Sequence, residues 1–182
     1  MTHTLAPSLL LSMPQLQDPN FAKTVVLLCE HGPEGAFGLV LNRPTDALAS
    51  SVVGLTPPIS RDNGICLWIG GPVEPHRGWI LMADTPADPD SRQVREGLYL
   101  SSSSSELRRV LETLPPPRAR VLAGYAGWGP GQLDMEMQAS AWLTAEVELD
   151  LVFDVEPARM WESAIRRLGA DPSLLQASHG VH

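Results

Sequence analysis

Thr24-Val-Val-Leu-Leu-Cys-Glu30, then His31-Gly-Pro-Glu-Gly35, then Ala36-Phe-Gly-Leu-Val-Leu-Asn42: this stretch decides the fold. Both flanks are apolar at even and odd positions alike, so each reads as a strand covered on both faces. The segment between them carries two glycines and a proline, which is turn chemistry, and two apolar runs joined in this way form a hairpin. Working outward, strands are predicted at Ile65–Ile69, Gly78–Met82, Gly97–Leu100, Arg120–Ala123 and Glu146–Asp150. The last alternates acids with apolar residues and should have one wet face.

Helix signals fall between and after these strands. Asp46–Val53 begins with a capping-type residue and ends before Gly54. In Ser105–Leu114, Leu107, Val110, Leu111 and Leu114 recur at helical spacing; the preceding serines can cap the helix and Pro115 to Pro117 stop it. Pro157–Leu168 has proline in its first turn, Gly169 just past its end, and an apolar stripe of Met160, Trp161, Ala164, Ile165 and Leu168. Gln132–Leu143 alternates like a strand. Its Asp134 and Glu136, however, sit where a helix amino terminus favours acids, and its residues are good helix formers, so it is read as a helix. Thr85–Ser91 reads as an exposed loop and Ser101–Ser105 as a connection. A hairpin first and no regular βαβ alternation make the class α+β rather than doubly wound α/β, in a single domain over 1–182.

Composition bounds the function. With 43% hydrophobic residues, a chain of 182 residues can bury a sizeable core without disulfides or a metal. A net charge of -8 argues against a general grip on nucleic acid or an anionic membrane. Cys29 and Cys66 are too few for a secreted disulfide framework. The first residues lack a basic region and are broken by Pro7, and no apolar run reaches membrane-spanning length. The expectation is a cytoplasmic protein with a frayed tail over Ala177–His182 and no membrane role.

Cys29-Glu-His31 is the first chemical candidate. If the strand continues through it, both side chains share a face, and an imidazole could lower the thiol pKa to make a nucleophilic or redox-active thiolate. The bland reading is a small buried hydrophobe at a strand end. A zinc site is weaker, because Cys29, Cys66, His31 and His76 show no recognised ligand spacing. Gly124-Tyr-Ala-Gly-Trp-Gly-Pro-Gly-Gln-Leu133 is the second candidate: Gly127, Trp128, Gly129 and Gln132 lie between a strand and a helix, where an anion could be cradled. Asp134 and Glu136 would place negative charge close by, and a tight turn with Trp128 anchoring the helix competes with this reading. Gly70 and Gly71 could admit a ligand to the backbone or form an ordinary turn, and Arg43 and Arg77 could hold a carboxylate or phosphate or simply a salt bridge. No G-x-S-x-G elbow is present.

These segments together resemble the AlgH/YqgE family of bacterial proteins. The resemblance is carried by Met13–Phe21, Thr24–His31, Gly35–Pro44, Gly70–Val73 with Arg77–Leu81, Gly124–Leu133, Ala141–Leu143 and Trp161–Leu174. It implies a small cytosolic protein with a curled, barrel-like, largely antiparallel or mixed sheet flanked by about four helices, and it strengthens the helix reading of Gln132–Leu143. The family's activity is unassigned, with one member linked to exopolysaccharide regulation. Its motif residues here are Cys29, His31, Asn42, Gly70, Gly71, Arg77, Trp128, Gln132 and Trp142, none with an established catalytic role.

Three functions are in contention. The leading one is a non-enzymatic regulatory or interaction protein, acting indirectly through a protein partner or small ligand, since no helix-turn-helix is recognised. The others are a thiol enzyme or redox sensor built on Cys29 and His31, and a small-anion or nucleotide binder at Gly127–Gly131. No cofactor or metal is expected, and the oligomeric state is left open. Convergence of Cys29, His31, Arg77 and Gln132 on one cleft would favour a site.

Overall fold

The hairpin forms from β2 (Val25–Gly32) and β3 (Gly35–Val40), paired antiparallel from Val26 opposite Val40 to Gly32 opposite Gly35. Its turn is tighter than the sequence suggests, because both strands run on into the glycines. The computed structural model describes residues 4–14, 16 and 21–177, with the backbone alone for 176 and 177. The expected frayed tail, past Ala177, therefore lies outside the described residues, as do Gln15 and 17–20 of the Met13–Phe21 motif.

Around the hairpin the sheet is built from β1 (Ser8–Ser12), β6 (Val73–Met82), β7 (Arg92–Arg95), β8 (Leu98–Ser101), β9 (Ala119–Trp128) and β10 (Trp142–Ala145). The order across it is β10-β1-β2-β3-β9-β6-β8-β7, antiparallel throughout. A branch carries β4 (Pro44–Leu48) antiparallel to β5 (Cys66–Ile69), and β5 joins β9 in parallel. The α+β class and largely antiparallel sheet stand as expected; the barrel-like form stands only in part. β10 and β7 end the path unpaired with each other, so the sheet is open. The β7 edge, Arg92-Gln-Val-Arg95, is charged and mostly exposed, which disfavours closure or further pairing there.

Six helices are described rather than about four: α1 (Ala49–Val52), α2 (Ser104–Glu112), α3 (Gln132–Gln138), α4 (Leu149–Phe153), α5 (Pro157–Arg167) and α6 (Pro172–Ala177). The sheet is covered on both faces, as the apolar run on both parities of β2 requires. Val25 and Leu27 face one cluster with Leu9, Leu39, Leu122 and the α4–α5 residues Leu151, Met160, Trp161 and Ile165. Val26 and Leu28 face another with Leu10, Val40, Trp128, Leu133 and Trp142. A third packs α2, through Leu107, Val110 and Leu111, onto Leu67, Ile80 and Val121.

Four expectations are corrected. Asp46–Val53 is not one helix: β4 continues to Leu48 because Thr45 donates to the Leu67 carbonyl at 2.6 Å, leaving one turn for α1. Glu146–Asp150 is not a strand. β10 precedes it, and Arg167 at the end of α5 gathers Glu148 and Asp150, drawing the segment into α4. The helix expected to Leu143 ends at Gln138, and Ser140 turns the chain with φ 59° into β10. Gly124–Trp128, read as loop, is the second half of β9. β1 and β7 were not anticipated. Among the described residues no helix is long and apolar enough to cross a membrane.

Candidate functional site

A one-residue bulge decides what Cys29 and His31 can do together. Leu28 pairs with Gly38 but Glu30 pairs with Phe37, so Cys29 is an extra residue in β2 and shifts the side-chain alternation behind it. Cys29 and Phe37 pack on the α4–α5 side of the sheet. His31 pairs with Ala36, which packs on the opposite side. The shared face that strict alternation predicts is therefore lost. Burial pushes the Cys29 thiol up to about 12, and the nearby Arg92 offsets this only in part. That is the reverse of activation.

His31 is held by two bonds. Its Nδ1 accepts from the Leu5 N–H at 3.0 Å, so its Nε2–H donates to Asp134 Oδ1 at 3.1 Å, and the side chain is only 5% exposed. The ring clasps the amino-terminal segment to α3. Beside it, Glu136 of α3 receives three donors: the Trp128 and Trp142 indoles on Oε1 at 3.1 and 2.8 Å, and Gln132 on Oε2 at 3.0 Å. The Gln132 carbonyl in turn accepts from the Gly129 N–H at 3.0 Å. The Gly129 N–H and the Trp128 indole, two donors that could have faced an anion at Gly127–Gly131, are thus engaged, with two carboxylates next to them. Trp128 and Trp142 meet edge to face, 6.0 Å apart.

Other candidates are clamps. Asn42 accepts from Val25 N–H and donates to the Lys23 carbonyl at 3.1 and 3.0 Å, while Arg43 holds the Ala22 carbonyl and Thr24 hydroxyl at 2.5 and 2.8 Å. Both fasten the start of β2. Gly70 and Gly71 give no ligand access, because β9 fills the space: a Cβ on Gly71 would lie 2.1 Å from the Tyr125 carbonyl carbon, and one on Gly124 2.3 Å from the Gly71 oxygen. Gly71 and Gly124 also have φ of 153° and 77°, so this backbone crossing needs glycine twice over.

Arg77 lies elsewhere. Between Val73, opposite Tyr125, and Gly78, opposite Ala123, β6 bulges outward through Glu74–Arg77, with Glu74 at φ 45°. Arg77 folds back over the Trp79 ring at 4.5 Å. There it borders an open hollow of about 400 Å³ with Glu30, Ala36, Phe37, Trp79, Arg92 and Tyr125. Phe37 lies 5.0 Å from Trp79 and 5.1 Å from Tyr125, forming an aromatic floor. Gly127 lies beside this floor, where a Cβ would meet the Tyr125 ring at 3.4 Å, an ordinary contact. Arg92 pairs with Glu30 across the rim, and Arg77 faces Glu74 at 3.8 Å. A second cavity, about 420 Å³, opens between α2 and the sheet, lined by Leu67, Ile80, Leu107, Val121, Ser102–Ser104 and His76.

Cys29, His31, Arg77 and Gln132 therefore do not converge. His31 and Gln132 belong to the α3 network, Arg77 to the hollow, and Cys29 lies under the α4–α5 face. The hollow's Phe37, Trp79, Arg92 and Tyr125 were missed, because they come from four strands and no local motif joins them.

The chain's likenesses agree with this fold. A family described as AlgH-like matches residues 9–173. A UPF0301 protein of Myxococcus xanthus is 41% identical over 98% of each chain, and one of Magnetococcus marinus is 37% identical over 97% of this chain and 96% of that one. The solution structure of the AlgH protein from Pseudomonas aeruginosa superposes with a TM-score of 0.76 at 35% identity, covering 93% of this chain and 92% of the other. A crystal structure of a Corynebacterium diphtheriae protein shares the fold, with a TM-score of 0.72 at 21% identity over 95% and 90% of the two chains.

Proposed function

The chain belongs to the AlgH-like family, and from that membership we propose that it acts by recognition rather than catalysis, as a cytosolic regulatory protein whose binding surface is the Arg77–Arg92 hollow. One observation carries the reading. The groups with reactive potential are committed to structure: Cys29 is a protonated thiol on one face of the sheet, and His31 is bonded through both nitrogens on the other. Arg77 and Arg92, by contrast, leave 50% and 49% of their side chains exposed beside an aromatic floor. Arginine with accessible aromatic rings is binding chemistry.

The net charge of -8 disfavours a direct hold on DNA. Any effect on transcription or exopolysaccharide synthesis, of the kind the family resemblance suggests, then runs through a molecule bound at the hollow. The thiol alternative loses support from the raised Cys29 pKa. The anion site at Gly127–Gly131 loses support from the Gln132–Gly129 bond.

The test is genetic. The chromosomal gene is replaced by an Arg77→Ala, Arg92→Ala double variant or by Cys29→Ala, with protein levels checked, and transcript profile and exopolysaccharide yield are compared with those of a deletion. The double variant should reproduce the deletion and Cys29→Ala should behave as wild type. The opposite pattern would sink the reading in favour of thiol chemistry.

A further inference from the structure

We propose that the hollow where β3, β9 and β6 meet takes a small planar aromatic or heteroaromatic molecule carrying a phosphate or carboxylate, whose anion replaces Glu74 as the partner of Arg77. The inference rests on the recognition reading above and names the chemistry of what is recognised.

Size comes first. About 400 Å³ lies within the roughly 300–1,000 Å³ usual for small-molecule sites, and is far too small for a duplex or a folded partner. The floor selects a ring. Phe37, Trp79 and Tyr125 approach within 5.0 to 6.3 Å at interplanar angles of 47° to 87°, so no pair is stacked face to face. The Arg77 guanidinium, lying over Trp79, extends this surface with a second planar group. An aliphatic anion would use the charge and leave the rings unfilled.

The charge selects an anion. Among the described residues Arg77 makes no hydrogen bond, and its carboxylate partner stands at 3.8 Å, beyond hydrogen-bond reach. A guanidinium with free donors in a fork suits a bidentate phosphate or carboxylate. Glu74 already places a carboxylate beside Arg77 and close to the Tyr125 hydroxyl, whose pKa its proximity raises. It is a poorly seated stand-in, because it sits on a bulge with its backbone at φ 45°, a region unfavourable to L-residues. An external anion is free of that tether and can close the gap to Arg77. Arg92 on the opposite rim is already paired with Glu30, so Arg77 is the guanidinium left to take the anion.

The experiment is calorimetric titration of the purified protein with adenosine monophosphate and with 1-naphthoate, which carry the two head groups, against adenosine and inorganic phosphate as separated halves. At least one aromatic anion should bind about tenfold or more tightly than either half. Arg77→Ala should weaken that binding by about tenfold or more, and Glu74→Gln should tighten it by about threefold or more by removing the internal competitor. Circular dichroism on each variant controls for folding, and Glu74→Gln, being exposed and predicted to gain function, cannot mimic a folding defect. The inference is overturned if neither aromatic anion saturates below about 1 mM, if the halves bind equally well, or if both variants leave affinity unchanged. Should it fail while the arginine double variant still reproduces the deletion in cells, recognition at the hollow stands with a different occupant. Should binding succeed while that variant behaves as wild type, the regulatory reading falls instead.

Discussion

Cys29 shows how one inserted residue changes a side chain's chemistry. In an unbroken β2 it would share a face with His31; the bulge leaves it with Leu27 on the α4–α5 side and turns His31 to the other, and desolvation there holds the thiol protonated. The consequence for stability has a definite sign. The folded thiol titrates near 12 and the unfolded one near 9.0, so between these values the native state keeps a proton that the unfolded state has lost. Stability is unaffected by Cys29 below about pH 9 and falls as pH rises toward 12, by about 1.4 kcal/mol per unit for one proton. Urea unfolding between pH 8 and 11 should therefore show a steeper alkaline decline for wild type than for Cys29→Ala. Parallel curves would mean that the thiol is not desolvated. Comparing the two proteins cancels the contribution of Tyr125, whose pKa is also raised. The bulge itself has no mark in the sequence: Leu28-Cys29-Glu30 looks like uninterrupted strand, and only the register against β3 reveals the extra residue.

At the scale of elements, α3 is short and depends on what it is tied to. A helix of seven residues is below the length at which helices hold in isolation, so its place comes from Leu133 in the core and from Glu136 gathering two indoles and Gln132. Trp128 and Trp142 are only 7% and 2% exposed, so their N–H groups have no easy recourse to water. Glu136→Ala should cost about 2–4 kcal/mol, the penalty for two unmade buried bonds, whereas Glu136→Gln keeps an acceptor and should cost about 1 kcal/mol. Chemical denaturation monitored by tryptophan fluorescence measures both. Equal losses would show that charge, not acceptance, is what matters. This element was half legible. The acids early in Gln132–Leu143 marked the helix; the alternation runs mostly through α3 itself and was misleading, and only Trp142 and Leu143 pass into the strand β10. Gly124–Trp128 was misread because its glycines suggested a loop, whereas they are strand residues, Gly124 being made small by the Gly70–Gly71 backbone pressed against it.

Across the whole molecule, the sheet is an open layer packed on both sides, and its central strands hold the clusters together. Leu27 and Leu28 are adjacent, both fully buried, and face opposite clusters. Leu27→Ala and Leu28→Ala should each cost about 2–5 kcal/mol, with losses that nearly add, since the side chains share few partners. A strand with one wet face would show one large loss and one negligible one. Far-UV dichroism and tryptophan fluorescence should report the same midpoint for wild type, as expected when clusters share strands and cannot melt separately.

By itself the sequence determined the paired, doubly covered strands at the centre, the α+β class, the helices α2 and α5, and the family. Each is written in local spacing or in contiguous residues: two apolar parities, a three-four stripe between a cap and a stop, a run of motif residues in order. Tertiary structure alone decided that the sheet stays open, that Cys29 and His31 part company, and that Phe37, Trp79, Arg92 and Tyr125 gather around one hollow. Those outcomes depend on which strands lie side by side and in what register, and β3, the β6–β7 region and β9 are far apart along the chain. Strand pairing is a long-range choice set by the summed burial of both faces, so no single segment carries its signature.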